Sequence, residues 1–323
     1  PMFAQYKDMP SIIGAASALI AVIFFSVNDM AIKFLSGGYP LHEVILIRSV
    51  VAMAVLFIVI FPFNGGLAAA RTNRFWLHML RASFVVFSNI TFFLGLSVLP
   101  LAEGVALFFV APIVITVFSV IFLREHVGPH RWLAVVIGLV GVTIMLRPGA
   151  ETFRLAALFP IASAVGYAAM HMMTRYIGRT ESAATMSFYI QVAFIIVASV
   201  SGFALGDGRY ASDDGAILNF LLRAWVMPDA GDWALLIVTG AVISLGGYFI
   251  SHAYRVAEAA LVAPFEYLAL PLAMIWGIVV FGEWPDAVGL TGIALILASG
   301  LYLILREAVA RRGGIRTGPR GRR

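Results

Sequence analysis

The stretch LPLAEGVALFFVAPIVITVFSVIFL, residues 99–123, decides the class of fold, because Glu103 is its single charged residue. An α-helix needs about 20 mostly apolar residues to cross the hydrocarbon core of a bilayer. The run from Leu101 to Leu123 meets that requirement, and the apolar run before it ends at Leu99-Pro100. Its polarity does not alternate, as it would in a strand of a membrane β-barrel. The stretch therefore predicts one membrane-spanning helix, with a second directly before it.

The composition of the whole chain agrees with this interpretation. The 323 residues are 61% hydrophobic and 12% charged, with a mean hydropathy of +0.96. A soluble domain carries about 25% charged residues, and a soluble fold of this composition would expose large apolar patches. The chain has no cysteine, which excludes disulfides, thiolate nucleophiles and cysteine-ligated metals. We expect an all-α membrane protein.

Apolar runs of spanning length recur along the chain, separated by short segments with proline, glycine or charge. Ten are expected, at 11–35, 41–63, 74–98, 101–123, 130–147, 154–176, 182–206, 233–256, 260–281 and 286–306.

Lysine and arginine predict the orientation. With Arg48 and Arg81 left out because they lie inside spans, 15 of these residues fall on the side that holds both termini and five on the other. The positive-inside rule then places both termini in the cytoplasm of a bacterial inner membrane. Seven arginines lie between Arg306 and Arg323; directly after a span, they predict contact with membrane lipid rather than with nucleic acid. No cleavable signal peptide is expected.

The chain also contains a weak internal repeat. Glu125 and Glu283 lie 158 positions apart, each after a helix end and before a span containing glycines. Earlier in the two halves, Lys33 and Arg175 lie 142 apart, and the long loop before the eighth span accounts for the difference. A repeat of five helices must insert its two copies in opposite orientations, an architecture of secondary transporters. The expected parts are 11–147, 154–306 and a basic tail, 307–323.

Several motifs resemble the EamA-type members of the drug/metabolite transporter superfamily. They are Pro40…Arg48, Phe93-Leu94-Gly95-Leu96…Leu99-Pro100-Leu101-Ala102-Glu103-Gly104-Val105-Ala106-Leu107…Pro112, and Glu125…Gly138…Gly141-Val142. The resemblance covers about 11–306. It implies ten helices, with a central cavity walled by spans one, three, four, six, eight and nine. Known members export amino acids, including aromatic ones, or other metabolites, and some import S-adenosylmethionine or riboflavin.

Asp29, Arg48 and Arg81 are charged residues inside predicted spans, where insertion costs roughly 2.5–3.5 kcal/mol each. Asp29 and Arg48 lie at similar depths on neighbouring antiparallel helices, which predicts a structural ion pair. The alternative is that Arg48 binds a substrate carboxylate. Arg81 lies near the cytoplasmic end of the third span, and its guanidinium is expected to reach the interface.

Glu266 lies between Pro264 and Pro271 in the ninth span. Proline removes a backbone donor and bends a helix, so both prolines, with Pro112 in the fourth span, are expected hinges. Glu266 is the expected contact for a substrate ammonium group or for a coupled proton. The alternative is a glutamate that only packs between helices.

Aromatic and polar residues at helical spacing predict the lining of a cavity. Tyr248 and His252 share one helix face, as do Tyr167 and His171. Rings with a few polar groups suit amphipathic organic solutes, although helix packing alone is an alternative. The expected lining is Asn28, Asn89, Phe93, Phe108, Tyr167, His171, Ser244, Tyr248, His252, Glu266 and Tyr267.

Other functional classes lack their motifs. Asn64-Gly65-Gly66 has no Lys-Ser/Thr sequence of a P-loop, and neither a Gly-x-Ser-x-Gly nor a His-Glu-x-x-His motif occurs. No cofactor or metal is expected. The sequence predicts a secondary transporter, exporting amino acids by alternating access. Import of S-adenosylmethionine or riboflavin, an intramembrane enzyme and a channel are the alternatives. A monomer is expected, or a homodimer through the glycine faces of spans five and ten at Gly138 and Gly141.

Overall fold

The computed structural model describes residues 2–123, 129–146, 155–177, 181–212, 214–256 and 265–315. All regular structure in these ranges is helical. The α-helices are α1 (Met2–Leu35), α2 (Leu41–Val55), α3 (Phe75–Leu96), α4 (Leu101–Phe108), α5 (Ala111–Leu123), α6 (Pro129–Leu146), α7 (Leu158–Ile177), α8 (Ala183–Leu205), α9 (Ala216–Leu222), α10 (Ala230–Val256), α11 (Ala269–Phe281) and α12 (Ala287–Ile315). A π-helical turn, Leu56–Ile60, and a 3₁₀ turn, Phe61–Phe63, extend α2.

Seven stretches within the described ranges are long and apolar enough to cross a membrane. They are Ile12–Leu35, Leu41–Phe63, Phe75–Leu96, Leu101–Phe122, Leu155–Thr174, Ala183–Leu205 and Ala230–Ala253. The other three predicted spans correspond to shorter apolar helices, Trp132–Leu146, Ala269–Phe281 and Ala287–Tyr302. The chain is therefore a multi-pass helical membrane protein, and the count of ten spans stays a prediction.

The helices pair in a pattern that is nearly the same for the two halves of the chain. Helix α1 packs on α10 and α3 packs on α7, while α10 also contacts α2 and α3 also contacts α8. Three further pairs join one half to the other, α2 with α8, α4 with α11 and α6 with α12. The helices α1, α2, α3, α4 and α6 correspond in order to α7, α8, α10, α11 and α12. When each helix is replaced by its counterpart, the same pairs are obtained.

The bundle has two ends, which we name after one residue at each. The Lys33 end holds the α1–α2 turn, the α3–α4 turn and the connection from α11 to α12, which meet through Lys33 and Glu283. The His78 end holds the beginnings of α3 and α8, which meet through His78 and Glu181.

Glycines bring α6 and α12 into close contact. A Cβ atom at Gly141 would lie 3.0 Å from the carbonyl oxygen of Gly292, so the two backbones approach as closely as glycine allows. Gly138 packs against the side chains of Ile113 in α5 and Ser299 in α12. These faces are occupied inside one chain, and the oligomeric state stays a prediction.

Candidate functional site

The predicted fourth and ninth spans are both interrupted near their middle. Helix α4 ends just before Phe109, and α5 begins just ahead of Pro112, whose ring nitrogen cannot donate to the preceding turn. A turn at Tyr267 likewise precedes α11, which contains Pro271; Pro264 lies outside the described residues. Phe109 and Tyr267 are 158 positions apart, the same offset as Glu125 and Glu283. Their rings stack with centroids 4.9 Å apart.

Seven aromatic rings connect around these two turns, and we call them the ring cluster. Centroid distances run from 4.4 Å for Tyr167 with His171, through 5.1 Å for Phe108 with Tyr167, to 6.4 Å for Phe108 with Phe109. The members are Phe92, Phe93, Phe108, Phe109, Tyr167, His171 and Tyr267. Five of them belong to the predicted cavity lining, and the cluster joins α3, α4 and α7 to the turn before α11.

Glu266 lies beside the ring cluster. Its carboxylate interacts electrostatically with the phenol groups of both Tyr167 and Tyr267. Glu266, Tyr167 and His171 are each half-buried. An acidic group thus lies next to aromatic faces, an arrangement that can accept a proton or a cationic group of a solute.

Arg48 is enclosed at the side of the cluster, with 1% of its surface exposed. Its guanidinium donates two long hydrogen bonds, both 3.4 Å, to Oδ1 of Asn89. It also lies over the rings of Phe93, at 5.6 Å, and Phe194, at 4.9 Å. The predicted cavity residues Asn89 and Phe93 are therefore contacts of this arginine.

The predicted ion pair between Asp29 and Arg48 is not a direct contact. Asp29 instead accepts a hydrogen bond of 3.0 Å from the amide of Asn28. The two charges attract each other through the intervening space, since Asn89 and two rings occupy the positions around the guanidinium.

Arg81 is buried against α7, so its guanidinium does not extend to an exposed position as its place in the chain predicted. Only 8% of the residue is exposed. Its Nε donates a 2.7 Å hydrogen bond to Oγ1 of Thr174, and Nη2 approaches Sδ of Met170 at 3.6 Å. The signal that sequence reasoning missed is helical spacing: Arg81 shares one side of α3 with Asn89 and Phe92, eight and eleven positions later.

The remaining predicted lining residues form a second group, on α10. Tyr248 stacks on His252 with centroids 6.2 Å apart, and His252 Nδ1 lies 3.3 Å from Oγ of Ser17 in α1. Ser244 is buried, whereas Tyr248 is 36% exposed. His252 thus belongs to the α1–α10 contact, and none of the ring contacts among the described residues joins Tyr248 or His252 to the ring cluster.

A compact ionic cluster, which we call the Lys33 cluster, lies at the Lys33 end. Nζ of Lys33 lies 3.0 Å from Oε1 of Glu283 and donates to the backbone oxygens of Leu96, at 3.0 Å, and Leu99, at 2.5 Å. Oε2 of Glu283 accepts the N–H of Leu101, the first residue of α4, at 2.8 Å. One ion pair thus ties α1, the α3–α4 turn and the α11–α12 connection. The sequence did not indicate this pair, because its members are 250 residues apart.

Comparison with known proteins gives consistent results. Residues 12–147 match the model of the EamA-like transporter family. A riboflavin transporter of Rhizobium johnstonii is 30% identical over 92% of this chain and 92% of its own length. An S-adenosylmethionine uptake transporter of Rickettsia prowazekii is 27% identical, covering 90% of this chain and 91% of its own. The pseudopaline exporter of Pseudomonas aeruginosa is 24% identical, covering 90% and 95%.

One solved crystal structure has a similar fold. It superimposes with a TM-score of 0.63 and covers 93% of this chain and 98% of its own, at 18% sequence identity. At that identity the likeness concerns the fold alone.

Proposed function

The chain belongs to the EamA-like transporter family of the drug/metabolite transporter superfamily, and from this premise we propose that it carries a small organic metabolite with an aromatic ring across the membrane. The family and its named relatives are transporters, so the chain is a transporter and not an enzyme. The observation that carries the substrate proposal is the ring cluster, where aromatic faces adjoin a half-buried carboxylate, Glu266. Such surroundings suit an amphipathic solute.

We propose alternating access between two inverted five-helix repeats as the mechanism. The pairing of helices, which is unchanged when the halves are exchanged, supports a pseudo-two-fold axis in the membrane plane. Phe109 and Tyr267 occupy equivalent positions of the two repeats and stack on each other, which is the contact expected close to such an axis. The Lys33 cluster would close one end of the pathway in this conformation.

Aromatic amino acids are the proposed substrates that best match the charges. A zwitterion offers a carboxylate to a buried arginine and an ammonium group to Glu266. Riboflavin is the second candidate, supported by the riboflavin transporters at 30% identity. It offers three fused rings without a formal charge. S-adenosylmethionine carries both charge types and a heteroaromatic ring, and the uptake transporters of Rickettsia support it.

Export from the cytoplasm is the proposed direction, with both termini cytoplasmic in a bacterial inner membrane. The distribution of lysine and arginine supports the orientation. Named relatives work in both directions, as uptake transporters and as an exporter. Under this proposal the Lys33 end faces outward.

Uptake and counterflow in proteoliposomes would test the proposal. The purified chain would be given labelled tryptophan, leucine, lysine, glutamate, riboflavin and S-adenosylmethionine, with and without a pH gradient. We expect saturable flux of an aromatic solute and a loss of about tenfold in Phe108→Ala, which interrupts the ring cluster. Phe63→Ala is the matched control, because that ring is 83% exposed. Equal flux in Phe108→Ala and wild type, or flux of leucine alone, would contradict the substrate proposal.

A further inference from the structure

We propose that Arg81 binds an anionic group, a carboxylate in the first instance, of the transported solute. The inference rests on the proposed function and narrows it to aromatic solutes that carry a carboxylate. It would make Arg81 a substrate-binding residue, although its position in the sequence suggested only a charge reaching the interface.

The burial of Arg81 is the first argument. Only 8% of the surface of Arg81 is exposed, so the residue has lost most of its contact with solvent. A buried charge without a compensating partner costs several kcal/mol of folding free energy. Within the described ranges, no carboxylate lies within ion-pair distance of Arg81, and its side-chain partners are a hydroxyl and a thioether. Binding of an anionic group of a solute would supply the missing negative partner of this arginine.

The second argument concerns the donors that stay available. Arginine carries five N–H groups, and Arg81 uses one on Thr174 and points one at the weak acceptor Sδ of Met170. Its Nη1 makes no hydrogen bond in the described structure, yet it is not among the fully buried atoms that lack a partner. Nη1 therefore reaches accessible space and can donate to a ligand.

Arg48 shows what an arginine with a structural role looks like in the same bundle. Both of its terminal nitrogens are bonded to Asn89, and two rings cover its faces. Its Nε is fully buried and has no hydrogen-bond partner. The donors of Arg48 are covered by protein groups, whereas Nη1 of Arg81 can donate to a solute.

The surroundings of Arg81 hold the guanidinium in one direction. The hydroxyl of Thr174 donates to the carbonyl of Met170, at 2.8 Å, and so turns an oxygen lone pair toward Nε of Arg81. Arg81 also interacts electrostatically with the phenol of Tyr167, which belongs to the ring cluster and lies within the field of Glu266. A carboxylate at Arg81 would therefore place the aromatic part of the same solute against Tyr167.

Ligand-dependent thermal stability of the purified protein would test this inference. The probes are indole-3-propionate and indole-3-propionamide, which share ring and length and differ in the carboxylate. We expect the acid to raise the unfolding midpoint of the wild type at concentrations at least about tenfold lower than the amide does. Arg81→Gln should remove that preference, and Arg81→Lys should keep part of it, since lysine retains the charge without the bidentate geometry.

Two further variants keep the test decisive. Arg74→Gln is the matched control, an exposed arginine near the same end of α3, and should keep the full preference. Thr174→Val preserves volume but removes the acceptor that orients Arg81 and should weaken the acid several-fold; it serves where Arg81→Gln fails to fold. Equal stabilisation by acid and amide in the wild type, or a preference kept in both Arg81→Gln and Thr174→Val, would overturn the inference.

Flux measurements distinguish a failure of the proposed role of Arg81 from a failure of the proposed function. Counterflow of tryptophan with little flux of tryptamine, which lacks the carboxylate, supports both. Equal flux of the two solutes overturns the role of Arg81 and leaves an aromatic transporter standing. Absence of flux and of stabilisation by every aromatic probe overturns both.

Discussion

Arg48 in α2 and Arg81 in α3 each lie about two turns after the beginning of the helix, at opposite ends of the bundle. The surroundings of the two guanidinium groups differ. Near the Lys33 end, Arg48 is enclosed by Asn89 and two rings. Near the His78 end, Arg81 rests on Thr174 with a donor group turned to accessible space. In the first arrangement protein groups cover the guanidinium on all sides, although its Nε has no hydrogen-bond partner. In the second arrangement part of the guanidinium is left without a protein partner.

The contacts within each end also connect different helices. At the Lys33 end, Lys33 connects α1 to the α3–α4 turn and thereby joins the α1–α10 pair to the α3–α7 pair. At the His78 end, the contacts of His78 with Glu181, at 3.2 Å, and of Tyr189 with Ala70, at 3.1 Å, join the beginning of α3 and the preceding segment to α8. A conformational change that opens the Lys33 end must break the Lys33 cluster.

The largest effect is expected from locking the Lys33 end. The chain has no native cysteine, so Lys33→Cys combined with Glu283→Cys provides a single pair for a short, reducible bifunctional thiol reagent. Cross-linking should stop counterflow almost completely, because α1 can no longer separate from the α11–α12 connection, and reduction should restore it. The two single-cysteine variants treated with the same reagent are the controls. Undiminished counterflow in the cross-linked protein would show that this end does not open.

Removing the enclosed arginine should give the next largest effect. Arg48→Met leaves Asn89 and the Asp29 carboxylate without their positive partner and removes two cation–π contacts. We expect a loss of about 3 kcal/mol in unfolding free energy, read as a lower unfolding midpoint in detergent. Arg81→Met should lose clearly less, because Arg81 makes fewer contacts, one hydrogen bond to Thr174 and one approach to Met170. Equal losses in both variants would remove the distinction between the two arginines.

Neutralising Glu266 should reduce transport by roughly tenfold, the usual worth of one charged hydrogen bond. Flux measurements on Glu266→Gln can separate its two proposed roles. If the carboxylate couples a proton, stimulation by a pH gradient disappears and counterflow remains. If it binds an ammonium group, both decline and tryptophan weakens more than indole-3-propionate. Unchanged values in both assays would leave Glu266 with a packing role.

The smallest effect concerns the loop contact of Tyr39 at the Lys33 end. Its hydroxyl donates a 2.6 Å hydrogen bond to Asp232, and this bond raises the pKa of Tyr39 above its ordinary value. The folded protein then holds this proton more tightly than the unfolded chain does, so its contribution to stability is lost as pH rises above about 10. Tyr39→Phe should cost at most about 1 kcal/mol at neutral pH.

Unfolding midpoints measured from pH 8 to pH 11 would check this expectation. The variant should lose less stability than the wild type across the alkaline part of that range. Tyr210→Phe, at an exposed loop position, is the control and should follow the wild type. A wild type and a Tyr39→Phe variant that decline in parallel would show that the Asp232 contact is not maintained.

Local patterns predicted more of the fold than of the site. The break before Pro112 and the aromatic character of the interior followed from proline chemistry and helical spacing, and Phe93, Phe108, Tyr167, His171 and Tyr267 do lie together. The same spacing placed Tyr248 and His252 on one face, yet that face meets α1. Periodicity specifies which residues share a helix face, but not which neighbour that face contacts.

The sequence by itself determined that this protein is helical and embedded in a membrane, because apolar length and the absence of charge are local properties that a bilayer tests directly. It also indicated the family, through motifs that lie between Pro40 and Val142. Only the tertiary structure decided which charges have partners. Lys33 meets Glu283, Arg48 meets Asn89 instead of Asp29, and Arg81 turns inward to Thr174. Such pairings depend on how the helices are rotated and shifted relative to one another. A shift of a few ångströms decides whether a charged side chain meets a partner within the protein.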